Sequence, residues 1–237
     1  MPRGTKLVSR KPRKNVQLVQ MVKRKRRGPA NRRANPLLKN KLKTTLNYVQ
    51  EVTIDPGLAS IAAHYFRANS IFDPDLTGVG HQPLTRDEYA ALYGYYRVLS
   101  SRIKVTPVFD SNTAVNPGYW GLYLDTDSTL TYSQGSQVIE DQQRTGKSWG
   151  IHNGIQTSAY GKPHKVLKRT FNAKRHLTKE GAVNAVPVGT NPDVGDFSRY
   201  FCIWAASIAG NNPGPLKFLV ELEYDVEFSD PATVTPS

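Results

Sequence analysis

No Asp or Glu occurs in the first 50 residues; the first carboxylate is Glu51. Cations crowd the same stretch: Arg3, Lys6, Arg10, Lys11, Arg13, Lys14, Lys23, Arg24, Lys25, Arg26, Arg27, Arg32, Arg33, Lys39, Lys41 and Lys43 make up sixteen of the chain's 32 Lys and Arg. The other sixteen share residues 44–237 with all 19 acids, so a formal +16 precedes a formal −3. A segment without acids cannot neutralise itself, and with few apolar residues it cannot bury enough surface to offset its ordering entropy. Residues 1–43 are expected to be a disordered basic arm. Residues 44–237 are long enough for one core and are expected to form one domain. The arm's sign calls for a polyanion, nucleic acid ahead of an anionic membrane surface.

Other scarcities narrow the function. Cys202 is the only cysteine, which rules out an intrachain disulfide framework and a cysteine zinc site; within "YFCIWAASI" it is expected to be a buried apolar residue. No apolar run reaches the ~18 residues of a membrane span, and the N-terminus is too charged for a secretory signal, so no membrane insertion is expected. There is no Asn-x-Ser/Thr sequon, no Walker A loop, no G-x-G-x-x-G and no H-E-x-x-H. The five histidines, His64, His81, His152, His164 and His176, never stand three or four apart. Asp73 and Asp75, like Asp125 and Asp127, have the spacing of calcium ligands. Asp-Pro and Asp-Thr are also ordinary turn formers, and that is the reading taken. No enzyme, metal or cofactor is expected.

What is abundant is alternation. In the last segment Phe218, Val220, Leu222, Tyr224, Val226 and Phe228 fall on one face, and Leu219, Glu221, Glu223, Asp225 and Glu227 on the other. That is a long strand with one buried face. Residues 97–109 repeat the pattern, with Leu99, Ile103 and Val105 inward and Arg102 and Lys104 outward. Further strands are expected at 48–54, 62–72, 118–125, 148–153, 165–171 and 200–208, the last apolar on both faces. Turn sequences separate them: "DPDLTG", "NPG" and "GNNPGP". Two helices are expected. One follows Thr85 as a cap, with Tyr89, Leu92 and Tyr93 on one face; a weaker one lies in "SQGSQVIEDQQR". Residues 172–198 have no clear period.

Eight antiparallel strands without βαβ alternation predict an all-β sandwich, here an eight-stranded jelly roll rather than an immunoglobulin-like fold. In that topology the last strand lies between the first and the 97–109 strand. Its acidic row then faces Arg102 and Lys104, and cross-strand ion pairs are expected. The doubly apolar 200–208 strand suggests surface that is covered only between subunits. Tyr89, Tyr93, Tyr95 and Tyr96 could stack bases, but helical spacing beside a strand favours packing.

Residues 66–105 carry a more particular pattern: Phe66, Asn69, Asp73-Pro74-Asp75, Gly80-His81-Gln82-Pro83, a Tyr-rich helix, and Tyr96-x-Val98 leading into a strand. This segment resembles capsid proteins of circular Rep-encoding single-stranded DNA viruses; the arm and the final strand match only in kind. The resemblance implies a jelly-roll subunit, an icosahedral shell of about sixty copies, and an inward arm that gathers single-stranded DNA. It also implies nuclear delivery through an import receptor, for which Lys23, Arg24, Lys25, Arg26, Arg27, Arg32 and Arg33 are the signal, and residence in the virion and the host nucleus. His81 and Gln82 would anchor the loop before the helix. Jelly rolls of small RNA viruses are similar, so DNA over RNA rests on the resemblance alone, and no residue pattern identifies a host-cell receptor. Two alternatives stand beside it: a non-viral nucleic-acid-binding β domain with a basic tail, which would usually carry positive charge on its folded face too, and a cupin-like enzyme, which would need a histidine pair.

Overall fold

The computed structural model describes residues 38–108, 116–141, 148–152, 165–192, 197–208 and 211–232. The chain divides into two units, 1–37 and 38–237; all described residues belong to the second. Its strands are β1 (Lys41–Ile54), β2 (Ile61–Arg67), β3 (Tyr93–Val108), β4 (Gly118–Asp125), β5 (Trp149–His152), β6 (Leu167–Asn172), β7 (Val186–Pro187), β8 (Tyr200–Ser207) and β9 (Leu216–Pro231). Among the described residues four short helices accompany them: α1 (Arg86–Leu92), α2 (Gly135–Glu140), α3 (Ala173–His176) and α4 (Lys179–Val183).

The pairing is nested. β1 lies antiparallel to β9, β2 to β8, β3 to β6 and β4 to β5, as in one long hairpin rolled up on itself. Rolling places β9 between β1 and β3, and β8 between β2 and β4. Two sheets result, β1-β9-β3-β6 with the two-residue β7 beside β3, and β2-β8-β4-β5. This is the jelly roll expected from the alternation.

Alternation also builds the core. Phe218, Val220, Leu222, Tyr224, Val226 and Phe228 are at most 2 % exposed and face Phe66, Trp120, Leu122, Phe201 and Ile203 of the opposite sheet. Each such side chain contributes about 1.5–3 kcal/mol of gross burial. Trp120 and Phe218 meet across the gap with ring centroids 5.1 Å apart.

Four local expectations need correction. Leu99 does not point inward: the register with β9 shifts between Val98 and Ser100, so Leu99 is the extra residue of a bulge. The bulge reverses parity, and Tyr96 and Val98 face the core before it, Ser101, Ile103 and Val105 after it. Thr85 stands at the N-cap position of α1, its carbonyl accepting from the Tyr89 N–H (3.3 Å), but its side chain caps nothing. The residue sits at φ 66° in a turn closed by the Arg86 N–H donating to the Pro83 carbonyl (3.1 Å). Leu92 is 41 % exposed and Tyr93 already belongs to β3. Finally, β2 ends at Arg67, and Asn69 to Phe72 form no strand.

The fourth correction bears on assembly. β8 is buried on both faces, but its second face is covered by the chain itself. Tyr123, Cys202, Trp204 and Ala206 pack beneath Val138 and Ile139 of α2, with Tyr132 and Trp149 alongside. The fit is close at Gly135, where any Cβ would lie 2.6 Å from the Ala206 Cβ. Cys202 is buried, as expected.

Candidate nucleic-acid interface

The acids of β9 and the cations that pair with them lie on the outer face of the β1-β9-β3-β6 sheet, because the inner face is taken up largely by apolar side chains and period two leaves them the other side. β9 supplies a row of acids and its neighbours supply cations. Glu221 stands opposite Lys104, with 2.5 Å between Nζ and Oε2. Glu223 stands opposite Arg102 and pairs with its guanidinium, which also lies 3.8 Å from Asp225. Asp225 further accepts from Thr45 Oγ1 (3.0 Å) and Ser100 Oγ (2.6 Å). The expected cross-strand pairing is present.

Glu227 is the hub of the row. Arg97 Nη2 lies 2.7 Å from its carboxylate, Lys41 Nζ 3.2 Å and Lys43 Nζ 3.7 Å. Burial pushes the Glu227 carboxyl up, but the hydrogen bond from Lys41 and the nearby Arg97 charge outweigh it and hold the group below its ordinary value.

Of the sixteen cations assigned to polyanion binding, thirteen, Arg3 to Arg33, lie outside the described residues. The other three are Lys39, exposed and with its carbonyl accepting from Tyr93 Oη (3.2 Å), and Lys41 and Lys43. The last two are strand residues engaged with Glu227, so β1 begins three residues before the expected end of the arm. Redrawn at Leu38, the folded unit holds 19 Lys and Arg against 19 acids and is formally neutral, and residues 1–37 carry all of the +13. Glu227 was legible as one of four acids in a row; its role as a three-cation hub was not. The available signal was Leu42 and Thr44, which continue the β1 alternation through the lysines.

The Asp73–Pro83 segment forms a second polar cluster. Asp75 accepts from Thr77 N–H (2.9 Å), Thr77 Oγ1 (2.8 Å) and Gln50 Nε2 (2.8 Å), with His64 Nε2 at 3.0 Å. Burial raises this carboxyl, and those bonds more than offset it and leave it below its ordinary value. Gln82 Nε2 donates to Asp73 Oδ1 (3.0 Å), and the His81 ring lies tilted against Tyr48, centroids 4.5 Å apart, with Nε2 3.0 Å from the Val49 carbonyl. Gly80 is obligatory here, since a Cβ would run into Tyr48 Oη and come within 2.9 Å of Asp75 Cβ. Gln50, Tyr48 and Val49 of β1 hold the loop through Asp75 and His81, His64 holds it to β2, and Gln82 braces it from within through Asp73.

Asp125 Oδ1 likewise accepts from the Thr126 N–H (2.7 Å), as a turn former does. Among the described residues no group of three His, Cys, Asp or Glu could hold a metal ion, and no helix is long and apolar enough to cross a membrane. The tyrosine cluster is packing: Tyr89 stacks on Phe228 at 5.1 Å, Tyr93 and Tyr96 are buried, and Tyr95 alone is 41 % exposed. Burial pushes the Tyr96 phenol up to about 12.

No family model matches the chain, and no curated protein does. Solved structures similar to it include the 60-mer of BFDV capsid protein, at 13% identity over 83% of this chain and 97% of that one, TM-score 0.43. Another is the semi-empty virus-like particle of the giant freshwater prawn Macrobrachium rosenbergii nodavirus, at 11% identity over 83% and 97%, TM-score 0.46. A third is tobacco necrosis virus, at 15% identity over 83% and 85%, TM-score 0.48. The jelly-roll assignment rests on the strand order itself.

Proposed function

We propose that the chain is a viral capsid subunit. About sixty copies form a closed icosahedral shell, and residues 1–37 gather a single-stranded genome, DNA rather than RNA, on its inner side. The observation that carries this reading is the partition of charge. A jelly roll of zero formal net charge can be packed beside its own copies without repulsion, while every surplus cation sits on a separate stretch with no acid to compete for phosphate. No base-reading motif accompanies those cations, so contacts go to phosphates and binding is independent of sequence. Lys23 to Arg27 with Arg32 and Arg33 serve in addition as the nuclear import signal.

The direct test is nuclease protection. Particles made in cells are treated with nuclease, opened, and their nucleic acid typed by its sensitivity to DNase or RNase. Protected single-stranded material supports packaging, and DNA supports the assignment of genome type. Particles that protect nothing, or a chain that never forms particles, would contradict it.

One observation favours a second reading, a nucleic-acid-binding protein of one or two copies. The apolar outer face of β8, expected to wait for a neighbouring subunit, is already covered by α2. In that reading the basic segment binds the same phosphates, but the protein sediments at 26.4 kDa or twice that mass.

A further inference from the structure

The first five residues of β1 are held to the sheet differently from the rest. From Lys41 to Thr45 no side chain is fully buried, and Leu46 is the first that is. Leu42, partly buried, is the one apolar side chain among the five and packs against the core, so apolar contact is thin along this stretch. What fastens it, besides the backbone ladder to residues 225–229 of β9 and the Thr45 hydroxyl bonded to Asp225, is charge. Lys41 and Lys43 reach from solvent, with side chains 63 % and 69 % exposed, to one carboxylate that is 6 % exposed. In the register Lys43 and Arg97 flank Glu227 from opposite sides, so three cations converge on one anion. Two of them, Lys41 and Lys43, stand about 7 Å apart along β1. Without that anion the three would repel one another across β1, β9 and β3.

We propose that Glu227 is the clamp that sets where the basic segment ends. While its carboxylate is charged, Lys41 to Thr45 stay in the sheet and the basic segment ends at Leu37. When the charge is removed, these five residues leave the sheet, and the freed length extends the reach of the segment by roughly 16 Å at about 3.3 Å per residue. The clamp depends on no nucleic acid and stands apart from the proposed function. If that function holds, the clamp also fixes how far the cations reach inward and keeps two lysines from the phosphates.

The test uses the full chain without nucleic acid. Limited trypsin digestion cuts after Lys and Arg, and mass spectrometry reads the N-terminus of the resistant fragment. The wild-type fragment should retain Lys41 and Lys43, whereas that of Glu227→Gln should begin at Leu42 or Thr44. Glu221→Gln, in the same row but paired with Lys104, should behave as wild type. Amide hydrogen exchange across residues 41–45 should be at least tenfold faster in Glu227→Gln. A parallel Lys41→Gln/Lys43→Gln variant, which leaves Glu227 with Arg97, removes the clamp from the other side and should show the same acceleration even if Glu227→Gln does not fold. An unchanged fragment in a folded Glu227→Gln, or unchanged exchange in the double variant, would overturn the proposal.

Discussion

Deleting residues 1–37 removes thirteen Lys and Arg and no acid, taking the chain from +13 to zero. For single-stranded nucleic acid each phosphate contact contributes about −0.7 to the slope of log affinity against log salt. If all thirteen cations contact phosphate, the slope is about −9, and raising salt fourfold weakens binding by roughly five orders of magnitude. If half do, the slope is about −4.5 and the loss is still about 500-fold. The folded unit is formally neutral, and its Lys41, Lys43, Arg97, Arg102 and Lys104 are already engaged with the β9 acids. Fluorescence anisotropy with labelled single strands, across a salt series, measures the slope directly. The expected result is a truncated protein that keeps its strand-rich circular dichroism and shows a slope near zero. A slope unchanged from the full chain would place the phosphate contacts on the jelly roll and refute the division at Leu38. Cutting at residue 43 instead takes Leu42, Lys41 and Lys43 out of β1, so that product should melt lower than the first.

Three further outcomes follow from the packing and the charges. Trp120→Ala empties the space between the sheets against Phe218 and should cost about 3–5 kcal/mol in urea unfolding. Asp75→Asn gives the Asp75 donors an acceptor-poor partner and should cost about 1–3 kcal/mol, with tryptic susceptibility of the 73–83 loop rising in parallel. Glu227 is held below its ordinary value of 4.5, so the stability it contributes is fully present above that pH and is lost as pH falls through the depressed folded value. Acid titration of unfolding should therefore show a decline below about 4.5 that Glu227→Gln makes shallower; identical profiles would remove Glu227 from the acid response.

Much of the fold is written in alternation. β9, β4 and β8 are legible to within a few residues because each has a face that must be buried, and from the order of strands the partnership of Arg102 and Lys104 with the acidic row follows. The misreadings arise where a local signal meets a tertiary one. Lys41 and Lys43 look like part of a solvated charge run until Glu227 is brought beside them from the far end of the chain. Leu99 breaks parity through a bulge that only its pairing partner reveals. The outer face of β8 is apolar in either case, and nothing local says whether α2 or another subunit covers it. Thr85 has the composition of a cap but is spent on a left-handed turn.

Sedimentation of the full-length chain, in moderate salt with single-stranded nucleic acid present, tests the capsid reading most directly. About sixty subunits of 26.4 kDa should run as one closed species near 1.6 MDa before the mass of packaged nucleic acid is added. A single stable species at 26.4 kDa or its double, at micromolar concentration, would contradict it.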